Sequence, residues 1–294
     1  MIAPWALRRR MMATLGGVDV ANLLIQGSCT FTDYGVVTMG NGNDYRLLAI
    51  TQSGNLAIFE PDGILTCPVN CEVCVVGGGA NGNEELDYGH GNNSHGGAGA
   101  YLKNQVIEAF EGGAVVVGAA QGASSIGGIS VAAVSGVNGG TGAGSMAYYP
   151  ATGDGLSKYP FGDESYELWV GKPHCAGGAA GGHTVRTTPN PDGDDRYEHY
   201  QGGDGGTNGG NGGTVKELNL SAYSTDTPGG SGGAYGGGNG GAVASQTSAG
   251  GNATYYGSGA GGGGHFEYYT ENSKTLAGGS GYQGIVYVRI PVEQ

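Results

Sequence analysis

Charge is scarce in this sequence. Only 13% of its 294 residues are Asp, Glu, Lys or Arg, just 12 of them are basic, and the formal net charge is −13. That balance excludes nucleic acid as the main partner, because phosphate binding needs a basic face that releases counterions. Long apolar runs are missing too. Nothing approaches the roughly 20 consecutive apolar residues of a membrane span. No apolar stretch of useful length follows Arg8, Arg9 and Arg10 in the opening "MIAPWALRRRMMATLGG", which argues against a secretory signal. The expectation is a chain without membrane insertion and without an address of its own. Proline numbers only 10, and glycine comes in doublets and quadruplets, so a collagen triple helix is excluded. Five cysteines, at 29, 67, 71, 74 and 175, are odd in number and irregular in spacing, and make no disulfide framework. No segment has the length and period of an amphipathic helix.

What is abundant is glycine, with 66 residues. Glycine and proline together pass a quarter of the chain, a composition whose default is disorder. Against that default stand 38% hydrophobic residues, the low charge and 18 Tyr. Short β-branched runs bounded by Gly supply strands: Arg46 to Thr51 and Leu56 to Phe59, read as a hairpin across Gln52 to Asn55, then "CEVCVV", "YLKNQVI", "AVVVGAA", "ISVAAVSG" and the closing "GIVYVRIPV". Between them lie Gly-Gly-X runs at 202–214, 229–242 and 259–264. Their three-residue period is that of the polyproline II helix, which has no internal hydrogen bonds. Several such segments side by side, with no Cβ between them, can exchange backbone N–H and C=O bonds. Asp204, Asn211, Ser231 and Asn239 then face water, and Gly210→Val or Gly237→Val is expected to disrupt folding. The spacers between the runs are rich in Tyr, Trp, His, Asn, Ser and Asp, the palette of adaptable binding loops.

"CPVNCEVCVVGGGANG" carries two enzyme-like spacings. Cys67, Cys71 and Cys74 are set as C-x3-C-x2-C, the spacing of a radical SAM cluster loop with three thiolate ligands. If "CEVCVV" is a strand, Cys71 and Cys74 face opposite ways and cannot share a cluster. Gly77, Gly79 and Gly82 match a dinucleotide loop, but "NEELDYGHGNNSHGGAG" cannot form the helix that must follow. Gly229, Ser231 and Gly233 satisfy a nucleophile-elbow pattern without strand and helix around them. His90 with His95, and His174 beside Cys175, lack zinc-site spacing, and "NPDGDD" at 190–195 has Tyr197 where a calcium loop starting at Asp192 needs its glycine. No enzyme, cofactor or metal is expected from these patterns.

"CEVCVVGGG", "GGAGAYLKNQVIEAFEGGAVVVGAAQGASSIGGISVAAVSGVNGG" and "AGGSGYQGIVYVRIPV" occur in that order and resemble the opening strand, hairpin-and-strand core and closing strand of the glycine-rich domains of bacteriophage tail-fibre and adhesin proteins. The resemblance covers roughly residues 28 to 294. "PWALRRRMM" also resembles openings of proteins of phages from gut bacteria. A similar glycine-rich module occurs in the ectodomains of anaplastic-lymphoma-kinase-type receptors, but no signal, membrane span or kinase segment supports that home. The resemblance implies an all-β fold: a β-sandwich, jelly-roll-like base with an inserted bundle of packed polyglycine II helices and little or no α-helix. The expected organisation is an attachment segment, 1–26, and a glycine-rich domain, 27–294. Within that domain the β base covers 27–76, 101–136 and 284–292, and the bundle with its loops covers 77–100 and 137–283. The implied function is recognition of a host-cell receptor by a virion protein assembled in the host cytoplasm, either a homotrimer or one mounted on a trimeric fibre. Its partners would be a bacterial surface glycan or protein and, through Trp5, Arg8, Arg9 and Arg10, other tail or capsid proteins. Candidate receptor contacts are Tyr148, Tyr149, Tyr159, Phe161, Trp169, Tyr197, Tyr200, Tyr255, Tyr256, Phe266, Tyr268 and Tyr269, whose aromatic faces suit stacking on sugars. Several of them have an alternative role as caps on the glycine rods. Deleting 145–175 is then expected to leave the fold assembled but to remove cell binding. Two alternatives are a virion decoration that binds nothing and an iron-sulfur enzyme built on Cys67, Cys71 and Cys74.

Overall fold

The computed structural model describes residues 18–82, 96–134, 159–178, 250–263 and 277–292 in full, and the strands at 183–187, 196–200, 265–267 and 274–275 by their backbone. The fold is all-β. Among the described residues the helical elements are two 3-10 turns, Val20–Asn22 and Pro160–Gly162.

Ten strands build the base: β1 Leu24–Gly27, β2 Phe31–Thr38, β3 Asp44–Ile50, β4 Gly54–Phe59, β5 Val69–Val76, β6 Leu102–Phe110, β7 Gly112–Val116, β8 Ser124–Ile126, β9 Ile129–Val131 and β14 Ile285–Pro291. Four more form a separate sheet: β10 His183–Thr187, β11 Arg196–Tyr200, β12 His265–Glu267 and β13 Lys274–Thr275. The base is a sandwich. One sheet runs β1-β4-β7-β8-β9, the other β2-β3-β14-β5-β6, and every pairing in both is antiparallel. The expected hairpin of Arg46–Thr51 and Leu56–Phe59 is not formed. β3 pairs with β2 and β14, whereas β4 pairs with β1 and β7 in the opposite sheet, so Thr51 to Ser53 carry the chain across the sandwich. The reason lies in burial. β3 is buried on both faces after its first residue and belongs in the centre of a covered sheet, while β4 alternates.

That covered sheet has two cores because side chains alternate along its strands. Leu48, Ile50, Val73, Val75, Val286 and Val288 face the other sheet and meet Leu56, Ile58, Val115 and Ile126. Leu47, Ala49, Cys74, Val76, Ile285 and Tyr287 face outward into a second core that holds Trp169 and Tyr166. The sandwich also begins before the boundary expected at residue 26. Val20 and Leu23 are buried, and Arg46 donates to the carbonyls of Val20 (3.1 Å) and Leu23 (2.6 Å) while pairing with Asp33 at 2.6 Å.

Above the outward face lie the glycine-rich segments 77–82, 96–100, 176–178, 250–263 and 277–284. Gly79 and Gly82 donate to the carbonyls of Tyr282 and Gly279 at 2.8 and 3.0 Å. Gly279 and Tyr282 donate to Gly261 and Ser258, each at 2.9 Å, and Gly250 and Ala253 donate to Ala277 and Ser280 at 2.8 and 2.9 Å. In every pair the donors are three residues apart. The consecutive Gly259, Ala260 and Gly261 donate to three different neighbours, Ala176, Ala80 and Gly251, at 2.8, 3.0 and 2.9 Å. A β-strand would alternate its donors with period two; here the direction recurs every third residue. Close approach requires glycine at these points. A Cβ on Gly79, Gly82, Gly178 or Gly259 would fall on a carbonyl oxygen of an adjacent segment. Gly210 and Gly237 lie outside the described residues.

Candidate recognition surfaces at the two ends of the bundle

The bundle has two ends that differ in what they carry. At the sandwich end the segments join strands directly: Val76 of β5 leads into Gly77, Tyr101 leads into β6, and Gly284 leads into β14. At the far end sit Gly82, Gly178, Gly250, Gly263 and Ala277, as the pairings Gly82 with Gly279 and Gly250 with Ala277 require. Gly82 and Gly97, on either side of 83–95, lie at that end, as does Gly250, and the glycine runs at 202–214 and 229–242 lie outside the described residues. β10 to β13 are joined to it through 179–182, 264 and 276. Residues 135–158 differ, since they run from Val134 to Tyr159, both packed at the second core of the sandwich.

Glycine rods offer no side chains to cover the apolar outer face of the sheet, so another part of the chain must. Residues 159–175 do this. Trp169 is 1% exposed and makes edge contacts with Tyr166 (ring centroids 4.8 Å apart) and Tyr287 (5.5 Å). Phe161 tilts against Trp169 at 6.0 Å, and the Arg289 guanidinium lies over the rings of Phe161 (4.2 Å) and Tyr45 (4.4 Å) while holding Glu72 at 2.7 Å. Tyr255 and Tyr256, in the turn that ends at Gly257, pack on His174. His174 is fully buried, with Nε2 at 3.0 Å from the Tyr287 hydroxyl and Nδ1 without a hydrogen-bond partner. Burial lowers its pKa to about 3, so the ring stays neutral. The same desolvation raises the Tyr287 hydroxyl well above its ordinary value and moves Tyr255 to about 12.

These positions correct part of the expectation. Trp169 is a core residue and cannot stack on a receptor. Tyr159, Phe161, Tyr255 and Tyr256 are half-buried at the sandwich end, where they cap the rods and join them to the sheet. Deleting 145–175 would remove Tyr166, Trp169 and His174 from the second core, so the fold would not survive it. Tyr197, Tyr200 and Phe266 belong to β11 and β12 beyond the far end. Tyr148, Tyr149, Tyr268, Tyr269, Trp5, Arg8, Arg9 and Arg10 lie outside the described residues, as do His90, His95, Ser231 and the 190–195 loop.

The enzyme-like spacings meet specific obstacles. Cys71 lies in the core between the sheets and Cys74 in the outer one, so Cys67, Cys71 and Cys74 cannot surround a single cluster. All five cysteines are buried, and desolvation raises the thiols of Cys71, to about 12, and of Cys74. The amides of Gly77, Gly78, Gly79 and Gly82, which a phosphate would need, already donate to Tyr101, Gly122, Tyr282 and Gly279. An open groove of about 660 Å³ at the sandwich edge, lined by Ile25, Phe31, Leu56 and Phe59 among others, has no ionisable lining residue.

Sequence reasoning missed Tyr166, His174, Tyr287 and Arg289 as the partners that hold the joint. "GIVYVRIPV" does show Tyr287 and Arg289 alternating with Val286, Val288 and Ile290, which marks a strand with two different faces. The chain matches no family model, no curated protein and no solved structure. What the structure defines is a class: an all-β protein with a two-sheet, sandwich-like base carrying a cross-bonded glycine-rich bundle.

Proposed function

We propose that the chain is a bacteriophage virion protein of the tail-fibre or adhesin type, which recognises a bacterial surface glycan or protein. The glycine segments act as packed polyglycine II helices, a reading supported by the three-residue recurrence of their hydrogen bonds. The observation that carries the function is directional. Gly82, Gly178, Gly250, Gly263 and Ala277 stand at the bundle end farthest from the sandwich, and β10, β12 and β13 lie within a few residues of Gly178, Gly263 and Ala277 along the chain. A stalk of cross-bonded backbones with a second sheet joined to its far end suits recognition at a distance, with the sandwich turned toward the particle, as a homotrimer or on a trimeric fibre. Tyr197, Tyr200 and Phe266, on β11 and β12, are the aromatic candidates there, and Tyr148, Tyr149, Tyr268 and Tyr269 remain candidates outside the described residues.

The test is binding of the fluorescently labelled protein to whole bacterial cells, sorted and identified by lineage. Shortening 83–95, 188–195 and 268–273 to Gly-Ser linkers should abolish binding and leave the melting temperature of the sandwich unchanged. Undiminished binding by the triply shortened protein would refute recognition by these loops. Attachment to phage particles with no cell binding would make it a decoration instead.

A further inference from the structure

We propose that residues 1–10 dock along the free edge of β1 in their own chain, as an added strand over the apolar groove at the sandwich edge. The docking site is independent of the adhesin reading.

β1 is the outermost strand of its sheet. Ile25 is paired with Ile58, whose N–H donates to the Glu111 carbonyl (3.0 Å) and whose carbonyl accepts from the Cys67 N–H (2.8 Å), both on the side away from β1. Ile25 and Ile58 are therefore a non-hydrogen-bonded pair of the antiparallel ladder, and the N–H and C=O of Ile25 point out of the sheet. No described residue bonds them. Such an edge accepts a further strand, whose backbone bonds the free groups and whose side chains enter the pockets alongside. Those pockets are present. Ile25, Phe31, Leu56, Ala57 and Phe59 line the open groove, and the apolar surface continues past it over Leu24, Leu65 and Ile64, the last 75% exposed. The turn 60–65 is closed by the Glu60 N–H donating to the Leu65 carbonyl at 2.9 Å and lies against Leu24, since a Cβ on Gly63 would stand 3.0 Å from the Leu24 side chain.

Charge and proximity select the occupant. Glu60 and Asp62 sit on that turn, at the Leu24 end of the groove. Between residues 18 and 66 the one basic residue is Arg46, already held by Asp33 and by the carbonyls of Val20 and Leu23. A segment that is apolar along its length and basic at one end fits such a site, and residues 1–10, "MIAPWALRRR", have that composition. Val18, where the described chain begins, packs on the same core as Ile25 and Phe31. The residues from 11 to 17 can span up to about 25 Å, enough to turn the chain back along β1. A strand running antiparallel to β1 brings its basic end to Glu60 and Asp62. Pro4 is compatible with an outer strand, where a missing N–H on the free side costs no ladder bond. The short tether holds the segment at an effective concentration of about millimolar, which favours its own groove over that of another copy.

The unaltered full chain reads the docking directly, because its two Trp residues are Trp5 and the buried Trp169. With the segment docked, acrylamide should quench neither indole as it quenches a free peptide. Leu24→Asp, or replacement of Arg8, Arg9 and Arg10 by Glu, should make Trp5 quenchable, leave Trp169 protected and speed hydrogen exchange in 24–27. Val106→Asp, on the exposed surface of β6 in the other sheet, should change none of these. A photoreactive phenylalanine analogue in place of Ile64 should cross-link to residues 1–10 of the same chain. A freely quenched indole in the unaltered protein, or cross-links that land elsewhere, would overturn the proposal. Cross-links joining labelled to unlabelled chains in an isotope-mixed sample would overturn it too, by assigning the groove to a second copy.

Discussion

Leu48 in the sandwich and Gly259 in the bundle are both buried, for opposite reasons. Leu48 is inside because its side chain leaves water, and the sheet around it is organised by such transfers, worth about 1.5–3 kcal/mol for each large aliphatic residue. Gly259 is inside because it has no side chain, so its amide reaches the Ala176 carbonyl at 2.8 Å while the Gly97 carbonyl occupies the space a Cβ would take. A backbone hydrogen bond contributes about 0.5–1.5 kcal/mol net, against about 1–2 kcal/mol to fix a residue's backbone, and glycine costs the most. The bundle is therefore weak on its own and depends on the sandwich. The cluster of Trp169, Tyr166, Tyr287 and His174 is what transmits that support.

Five substitutions, one of them read against pH, separate the two regimes, from the largest expected effect to the smallest. Gly259→Val should prevent the bundle from assembling while the sandwich persists, seen as fast hydrogen exchange confined to 77–82, 96–100 and 250–284. Uniform protection in that variant would show that side-chain-free contact is not required. Trp169→Ala should cost about 3–5 kcal/mol in denaturant unfolding, as for other buried Trp residues, and should expose the bundle to protease before the sandwich. Simultaneous loss of both parts would mean that the joint is not a separate element.

Acid should act on the joint first. His174 has a folded pKa of about 3 against 6.5 unfolded, so the unfolded chain takes up a proton that the folded one refuses. Stability is fully present above pH 6.5 and falls as the pH drops toward 3, by about 1.4 kcal/mol per unit. His174→Gln should flatten this limb between pH 6 and 4, and an unchanged limb would assign it to other groups. Ile58→Val, between the sheets, should cost about 0.5–1.5 kcal/mol. Gly77→Ala should fall within about 0.5 kcal/mol of the parent, because the nearest atoms to its added Cβ stand at 3.4 Å, ordinary contact. A large loss there would mean that glycine is required for more than space.

The all-β class was legible because β-branched runs bounded by glycine leave no room for helices. The glycine runs at 202–214 and 229–242, whose three-residue period raised the polyglycine expectation, lie outside the described residues, and a three-residue recurrence of hydrogen bonds is found in 77–82, 250–263 and 277–284. The fate of β3 and β4 was not legible. The turn residues Gln52 to Asn55 suit a hairpin as well as a crossing between sheets, and only the two-sided burial of β3 decides. Trp169 was misread for a related reason: an aromatic in a polar spacer looks the same whether it meets a receptor or covers a sheet.

Composition and local period determined the materials of this protein, because strand propensity and the absence of a Cβ act on each residue and its near neighbours. Tertiary structure decided the rest: which strands share a sheet and which aromatics are inside. Those follow from burial and register between distant segments, and no short stretch of sequence contains that information.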